Sequence, residues 1–448
     1  MSSPQTLADP LEDPLHAASS AKGRRAEIAE TEPRNFLVLA LYQIVMRTGW
    51  VFKTESIVMP AVLDMIGGSA WLRGCLPLLN RIGHSIPPML FARRLKIMPY
   101  KRVALVLCTL AMSAVFLSMA CMFSIVGNQT FSWMPAAFVA MYATFFVFTG
   151  VNSLVVSTLH GKLIAPTHRG RLLLVGGLIG ASTAVTCAWF LLNAWLEPGG
   201  GRFDLIFGFA GVCFGISAIV ALLVEEQPDD YRQPANSPAA HFREALQVLR
   251  DDANFRRLTL VAALFGTSMM LFPHYQALGR IRLQLSLENL ALWVVVQNAG
   301  TALFSLIGGP LADWRGNRTV LKFALFGCCL MPLLALSLAN FGSEAANVYF
   351  LVFLLVGLTP VTVRTINNYT LEVCGPAHHP RYLSTVGLCM AVPLFFSPLA
   401  GWLVDLISFE AVFIFVGAMV FAGWLLAFRL EEPRHRVVAP LPGSDDPV

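Results

Sequence analysis

Between residues 36 and 430 the chain is built almost entirely from apolar stretches of bilayer-spanning length, and this pattern constrains its fold before any single residue is considered. A membrane-crossing helix needs about 20 mainly apolar residues. Stretches of that length lie near 36–63, 71–92, 103–126, 134–157, 172–195 and 204–224, and again near 257–279, 288–311, 319–340, 347–370, 383–406 and 410–430. The expectation is an all-α polytopic membrane protein with 12 transmembrane helices in two six-helix pseudo-repeats. The first stretch is longer than a bilayer needs, so it must tilt or protrude. Only 13% of residues are charged while 56% are hydrophobic, against roughly 25% charge in a soluble domain. A soluble core could not hide so much apolar surface. That excludes a soluble enzyme, a nucleic-acid-binding protein and a disordered chain.

An even number of spans places both ends on one side. Of the 32 Lys and Arg, 24 fall in the tails and in the loops after spans 2, 4, 6, 8 and 10. Four lie in the opposite loops and four (Arg47, Lys53, Arg81, Arg364) inside spans. Cations collect on the cytoplasmic side, so both termini are expected there, in a multi-pass protein of the cell membrane (inner or plasma). The chain then divides into a cytoplasmic tail (1–34), an N-terminal six-helix bundle (35–224), a cytoplasmic linker (225–256), a C-terminal bundle (257–430) and a second cytoplasmic tail (431–448). Residues 1–34 carry no apolar core of a cleavable signal. Within the linker, residues 241–250 repeat apolar side chains at helical spacing, which predicts a short amphipathic interfacial helix.

The cysteines (Cys75, Cys108, Cys121, Cys187, Cys213, Cys328, Cys329, Cys374, Cys389) lie in or beside apolar segments, as small hydrophobes do. His378 and His379 beside Cys374 lack a fourth ligand, so no metal site and no cofactor is expected. Gly176 and Gly180 stand at a Gly-x-x-x-Gly spacing, which favours helix packing.

The halves echo one another. Pro60 in span 1 and Pro273 in span 7 occupy matching positions, and the loop Leu90–Arg94 matches Pro310–Arg315. Duplicated halves with Pro-interrupted helices in corresponding places point to an alternating-access carrier with its site between the halves. The second loop runs from Gly308 through Gly309, Asp313 and Gly316 to Arg318. It resembles the Gly-x-x-x-Asp-x-x-Gly-x-Arg signature of the major facilitator superfamily, matched by Gly309, Asp313, Gly316 and Arg318. Chemically, Gly309 permits close helix approach and Gly316 a tight turn, while Asp313 sits where a helix N-terminus or an arginine can stabilise it. The resemblance implies the twelve-helix transporter fold, a role in gating for these four residues, and no catalytic residues. The first-half equivalent, Phe91–Arg102, has neither aspartate nor glycine.

Charges inside a membrane are costly and therefore functional candidates. Span 1 carries Arg47, Phe52, Lys53 and Glu55. On an unbroken helix Arg47 and Glu55 are about 80° apart and could share a cavity, while Lys53 lies about 200° from Glu55, toward another helix or the lipid boundary. Burial favours the neutral acid and a nearby Arg47 or Arg81 the carboxylate, which makes Glu55 a proton-coupling candidate; a fixed ion pair with either arginine is the alternative. The surplus of intramembrane cations favours an anionic or zwitterionic substrate, since arginine forks suit carboxylates and phosphates. Arg364, Asn367 and Asn368 in span 10, Asn152 in span 4, His274 and Tyr275 in span 7, and Gln297 and Asn298 in span 8 complete the expected pathway. No phosphate-binding loop of an ATPase is present. The leading expectation is a secondary active transporter of a small molecule, monomeric, with lipid and protons as its other partners and no nucleic acid. A transport-inactive sensor or interaction scaffold on the same fold is the alternative.

Overall fold

The computed structural model describes residues 14–127, 129–196, 201–229, 248–250, 252–374 and 378–432. Among these the secondary structure is helical throughout. Ten helices are long and apolar enough to cross a membrane. The other two spans of the twelve-helix layout are present as helices Pro14–Val51 with Val58–Met65, and Ala70–Ile97. They carry Arg47, Lys53, Glu55 and Asn80, Arg81, His84, which dilute their apolar character. Spans 3, 4 and 6 are Lys101–Val126, Met134–Leu163 and Phe203–Ala221; span 5 is Pro166–Cys187, continued by a π turn at Ala188–Leu192. Spans 8, 9 and 12 are Asn289–Arg315, Asn317–Asn340 and Phe409–Ala427. The first helix begins well before residue 36, within the stretch expected to be a polar tail. Of the expected linker helix, residues 241–247 lie outside the described residues, and 248–250 are helical.

Four spans are interrupted, and proline explains most of the breaks. Pro60 has no N–H for the Ser56 carbonyl and its ring crowds that position. The chain leaves the helix at Val51, and the Thr54 carbonyl accepts from Val58 N (2.8 Å) and Met59 N (3.2 Å) as the helix restarts. Span 7 changes from Ala253–Gly266 through a 3₁₀ segment, Thr267–Leu271, to Phe272–Leu283 at Pro273. Span 11 does the same through Val392–Phe396, between His379–Ala391 and Ser397–Leu406. Span 10 divides at Gly357 into Phe350–Val356 and Leu358–Val373.

The repeat is deeper than its prolines. Span 2 crosses span 4 where a Cβ on Gly150 would lie 1.8 Å from the Gly83 carbonyl oxygen. Span 8 crosses span 10 likewise, a Cβ on Gly300 falling 2.3 Å from the Leu354 carbonyl oxygen and one on Gly357 2.5 Å from that of Gln297. Small residues let backbones touch where lipid offers no hydrophobic drive between helices.

Each half also fastens its last helix to its first, at the end of the bundle where both described termini lie (the termini end). Asn35 Nδ2 donates to the Glu225 carbonyl and accepts from Glu225 N through Oδ1, both at 2.9 Å. In the second half Glu431 N donates to Asn254 Oδ1 at 3.0 Å, and Tyr369 Oη donates to the Glu431 carbonyl at 2.5 Å. Both asparagines are buried. The sequence shows the parallel as Asn35-Phe36 with Glu225-Glu226, and Asn254-Phe255 with Glu431-Glu432. Beyond Glu225, Glu226 accepts from Arg102 N (2.7 Å) and Lys162 Nζ (2.8 Å), and Asp229 pairs with Lys101 and Lys162. Asn254→Leu should destabilise the protein by about 1–3 kcal/mol, the cost of buried backbone groups left unpaired. A thermal melt equal to wild type would show that the fastener carries no load.

Candidate functional site

The break in span 1 builds the most unusual polar cluster in the chain. Because residues 52–57 leave the helix, Lys53 turns into the first half, where it is only 1% exposed. Its Nζ lies 3.5 Å from the Trp50 ring centroid, 4.7 Å from Phe146, 5.3 Å from Phe145 and 5.8 Å from Tyr142. An ammonium enclosed by π faces is held by their quadrupoles, most strongly when desolvated. Glu55 lies close enough to feel that charge. Asn80 Nδ2 donates to Glu55 Oε2, while Glu55 Oε1 and Tyr142 Oη are buried without a hydrogen-bond partner. His84 closes the cluster, its Nδ1 3.0 Å from the Asn80 carbonyl oxygen and its ring 5.9 Å from that of Phe146. The helical-wheel separation of Lys53 from Glu55 therefore fails. The expected Glu55 partners are also corrected, since Asn80 and Lys53 take the places proposed for Arg47 and Arg81.

Arg364 of the second half lies near enough to Arg47 of the first to act on it electrostatically. Both are exposed, and among the described residues neither makes an ion pair or a hydrogen bond. Arg47 packs its stem against span 5, 3.2 Å from an ideal Cβ on Gly180. Asn367 and Asn368 follow Arg364 by three and four residues on one helical face, half-buried and exposed respectively. Two exposed guanidinium groups of like charge in this proximity, one from each half, would be relieved by a bound anion.

At the opposite end the halves are sealed. Asp64 pairs with Arg73 and accepts from Gln276 Nε2 of span 7 at 2.9 Å. Ala70 N donates to Asp405 Oδ2 at 3.1 Å, and Ser56 Oγ to Gln297 Oε1 at 2.6 Å. Arg81 donates to the Gly387 carbonyl, which carries the contact to mid-membrane. A Cβ on Gly74 would sit 2.3 Å from the Ser397 carbonyl oxygen, and one on Gly401 2.1 Å from that of Ala70. His274 is fully buried here with both ring nitrogens unpartnered, near Arg73.

Several expected pathway residues lie elsewhere. Asn152 is buried inside the first half, donating to Tyr42 Oη and Thr109 Oγ1, both at 2.9 Å. Phe52 is buried against Phe209 and Trp195. Tyr275 packs on Phe413, and its carbonyl accepts from Tyr349 Oη at 2.7 Å. Asn298 turns back to the Val294 carbonyl of its own helix at 2.8 Å. In the loop motif Gly316 has φ +85° and ends span 8, as a turn glycine should. Arg318 Nη2 donates to the Phe428 carbonyl of span 12 at 2.9 Å. Gly309 has no neighbour within 4 Å of an ideal Cβ, and Gly308 meets Val361 and Val320 only at ordinary contact distance (3.4 and 3.6 Å), so the close helix approach expected at Gly309 is not found there. Sequence reasoning missed Tyr142 and the role of Asp64. The aromatic face Tyr142, Phe145, Phe146 at helical spacing was the available signal.

Comparison with known proteins agrees with this architecture. The Major Facilitator Superfamily profile matches residues 82–398 and again 282–447. No curated protein sequence matches the chain. Among solved structures, the chain is similar to a mutant of the nucleoside transporter NupG at TM-score 0.71 and 10% identity, covering 88% of this chain and 99% of that one. It is also similar to a POT family transporter in complex with 5-aminolevulinic acid (TM-score 0.69, 11% identity, 90% and 96% covered). A third is a bacterial homologue of the iron transporter ferroportin in an inward-facing state (TM-score 0.64, 14% identity, 89% and 98% covered). A family profile matching most of a chain with twelve helices in two repeated halves leaves one assignment: the chain belongs to the Major Facilitator Superfamily and is a membrane transporter, not an enzyme.

Proposed function

We propose that the protein is a secondary active transporter of a small organic anion or zwitterion. It works by alternating access in the cell membrane with the termini end facing the cytoplasm. The observation that carries this reading is the pair of unpaired arginines, Arg47 and Arg364, one from each half and near one another. The cation-rich loops lie at the termini end, which supports its cytoplasmic placement. The hydrogen bonds that join the halves run from the far end to mid-membrane, which supports a state closed outside and open inside. Hydrogen bonds to a charged group contribute about 1.5–3 kcal/mol each, so Arg364→Ala should weaken binding of the transported anion by about 10- to 150-fold. The measurement is thermal stabilisation of the purified protein by a panel of anions, where a ligand at 100 times its Kd adds about 2.7 kcal/mol. Equal stabilisation of Arg364→Ala and wild type would remove Arg364 from the site.

Proton coupling is assigned to Glu55, whose free oxygen and neighbouring Lys53 supply a place where one proton changes the charge of a buried group. Glu55→Gln should abolish uptake driven by a pH gradient in liposomes while leaving substrate counterflow intact. Proton-driven uptake that survives the substitution would end this assignment. The second reading, a sensor or scaffold without net flux, is favoured by the first-half loop Phe91–Arg102, which lacks the motif's aspartate and glycines. Ligand binding without counterflow would select it.

A further inference from the structure

We infer that the substrate is a single-chain anionic amphiphile, its head held by Arg47 and Arg364 and its chain lying along spans 5 and 8. The inference rests on the anion reading above and extends it. Spans 5 and 8 are the least buried of the ten apolar helices, with 28% of the apolar stretch of each covered. Span 5 buries one narrow stripe, Leu172, Gly176, Gly180 and Ala184, and two of those positions pack on Gln43, Ile44 and Arg47 of span 1. Span 8 buries Leu290 to Val294 in part and Gly300, and from there toward the termini end alternates half-buried and exposed positions. The two helices meet at the far end, where the π turn of span 5 touches span 8. Span 5 lies beside Arg47, whose stem is 3.2 Å from an ideal Cβ on Gly180, and span 8 lies beside span 10 at Gly308 and Val361, three residues before Arg364.

Every face of these walls is apolar, so it does not matter which face each helix turns inward. Span 5 has no charged or amide side chain between Arg171 and Asn193, and span 8 none between Asn298 and Asp313. Four of the five hydroxyls are occupied by backbone, with Ser182 donating to the Leu178 carbonyl (3.0 Å), Thr183 to that of Ile179 (2.9 Å), Thr301 to that of Gly357 (3.0 Å) and Ser305 to that of Thr301 (2.7 Å), and Thr186 is the fifth. A sugar, a nucleoside or a small dicarboxylate lying here would leave most of its polar groups without partners. A hydrocarbon chain loses nothing and gains burial, about fourfold in affinity per methylene at full burial. The cationic pair at depth with apolar walls beside it matches a charged head and an acyl tail.

The test uses the full-length protein in nanodiscs and two series of ligands, alkyl carboxylates and alkyl phosphates of four to twelve carbons. Tryptophan fluorescence reports binding against the free aqueous concentration, kept below the critical micelle concentration. Affinity should rise at least tenfold from the four-carbon to the twelve-carbon anion. Arg47→Ala and Arg364→Ala should weaken every anion and leave the matching alkanols unchanged. Leu174→Asn or Leu306→Asn should weaken the twelve-carbon anion several-fold and spare the four-carbon one. Short anions binding as tightly as long ones would overturn the amphiphile while the anion reading stands. A chain-length dependence unaltered in both wall variants would overturn the placement of the chain. If no anion of any length binds, the anion reading falls and this inference with it.

Discussion

Gly74→Leu is expected to hold the two halves apart at the far end and to stop turnover. A side chain at this position meets backbone, the Ser397 carbonyl oxygen at 2.3 Å and Pro398 Cα at 2.9 Å, so no rotamer change can make room. Overpacking costs about 1–3 kcal/mol even where neighbours yield, and here the only relief is separation of span 2 from span 11. Two conformations a few kcal/mol apart exchange dominance under such a bias, and about 5.5 kcal/mol carries a population from 1:99 to 99:1. Ser397→Cys in a background without other cysteines reports the change, because Ser397 is fully buried in the closed arrangement. Its labelling by a membrane-impermeant maleimide added from the far side should be at least tenfold faster when Gly74→Leu is present. Equal labelling would mean that the far end opens without regard to this glycine, and the crossing would lose its part in gating.

The second large effect concerns Lys53. Lys53→Met removes a buried ammonium from the four rings and leaves Glu55 without its opposite charge. A buried carboxylate that loses a nearby compensating charge is costly to keep ionised, so a drop in thermal stability is expected. Adding Glu55→Gln removes the stranded carboxylate and should recover much of the loss, without restoring proton-driven uptake. The double-mutant cycle therefore yields an interaction energy well above zero. Strict additivity of the two substitutions would show that Lys53 and Glu55 do not act on one another, and the coupling assignment would then rest on Glu55 alone.

How much of this could be read from residues alone depended on whether the relevant distance ran along the chain or across it. The spans were legible because twenty apolar residues have one use in a membrane protein, and the breaks in spans 1 and 7 because Pro60 and Pro273 act on their own helix. The charged content of spans 1 and 2 was legible as a functional signal. What that charge touches was not. A helical wheel sent Lys53 away from Glu55 because it presumed continuity through the segment that Pro60 interrupts. Asn152 was indistinguishable from a pathway residue, since its partners, Tyr42 and Thr109, are 110 and 43 residues distant. The seal formed by Asp64, Gln276, Ala70 and Asp405 joins residues more than 200 positions apart. No local pattern encodes it. The Asn-Phe and Glu-Glu pairs that close each half were printed twice in the sequence, and only the contact between them gives the repetition a meaning.

Those fasteners bear on how the protein is made. A chain inserted into a membrane from its N-terminus emerges span by span, and larger proteins fold domain by domain with exposed intermediates at risk. Asn35 finds its partner at Glu225, immediately after span 6, and Lys101 and Lys162 find theirs by Asp229. The first six helices can therefore complete and lock their own tertiary structure before span 7 leaves the ribosome. The nascent first half waits for its counterpart as a finished piece, and the second half repeats the operation with Asn254 and Glu431 once the last helix is in place. Biogenesis of the 448-residue chain thus reduces to two assemblies of half the size followed by one docking event.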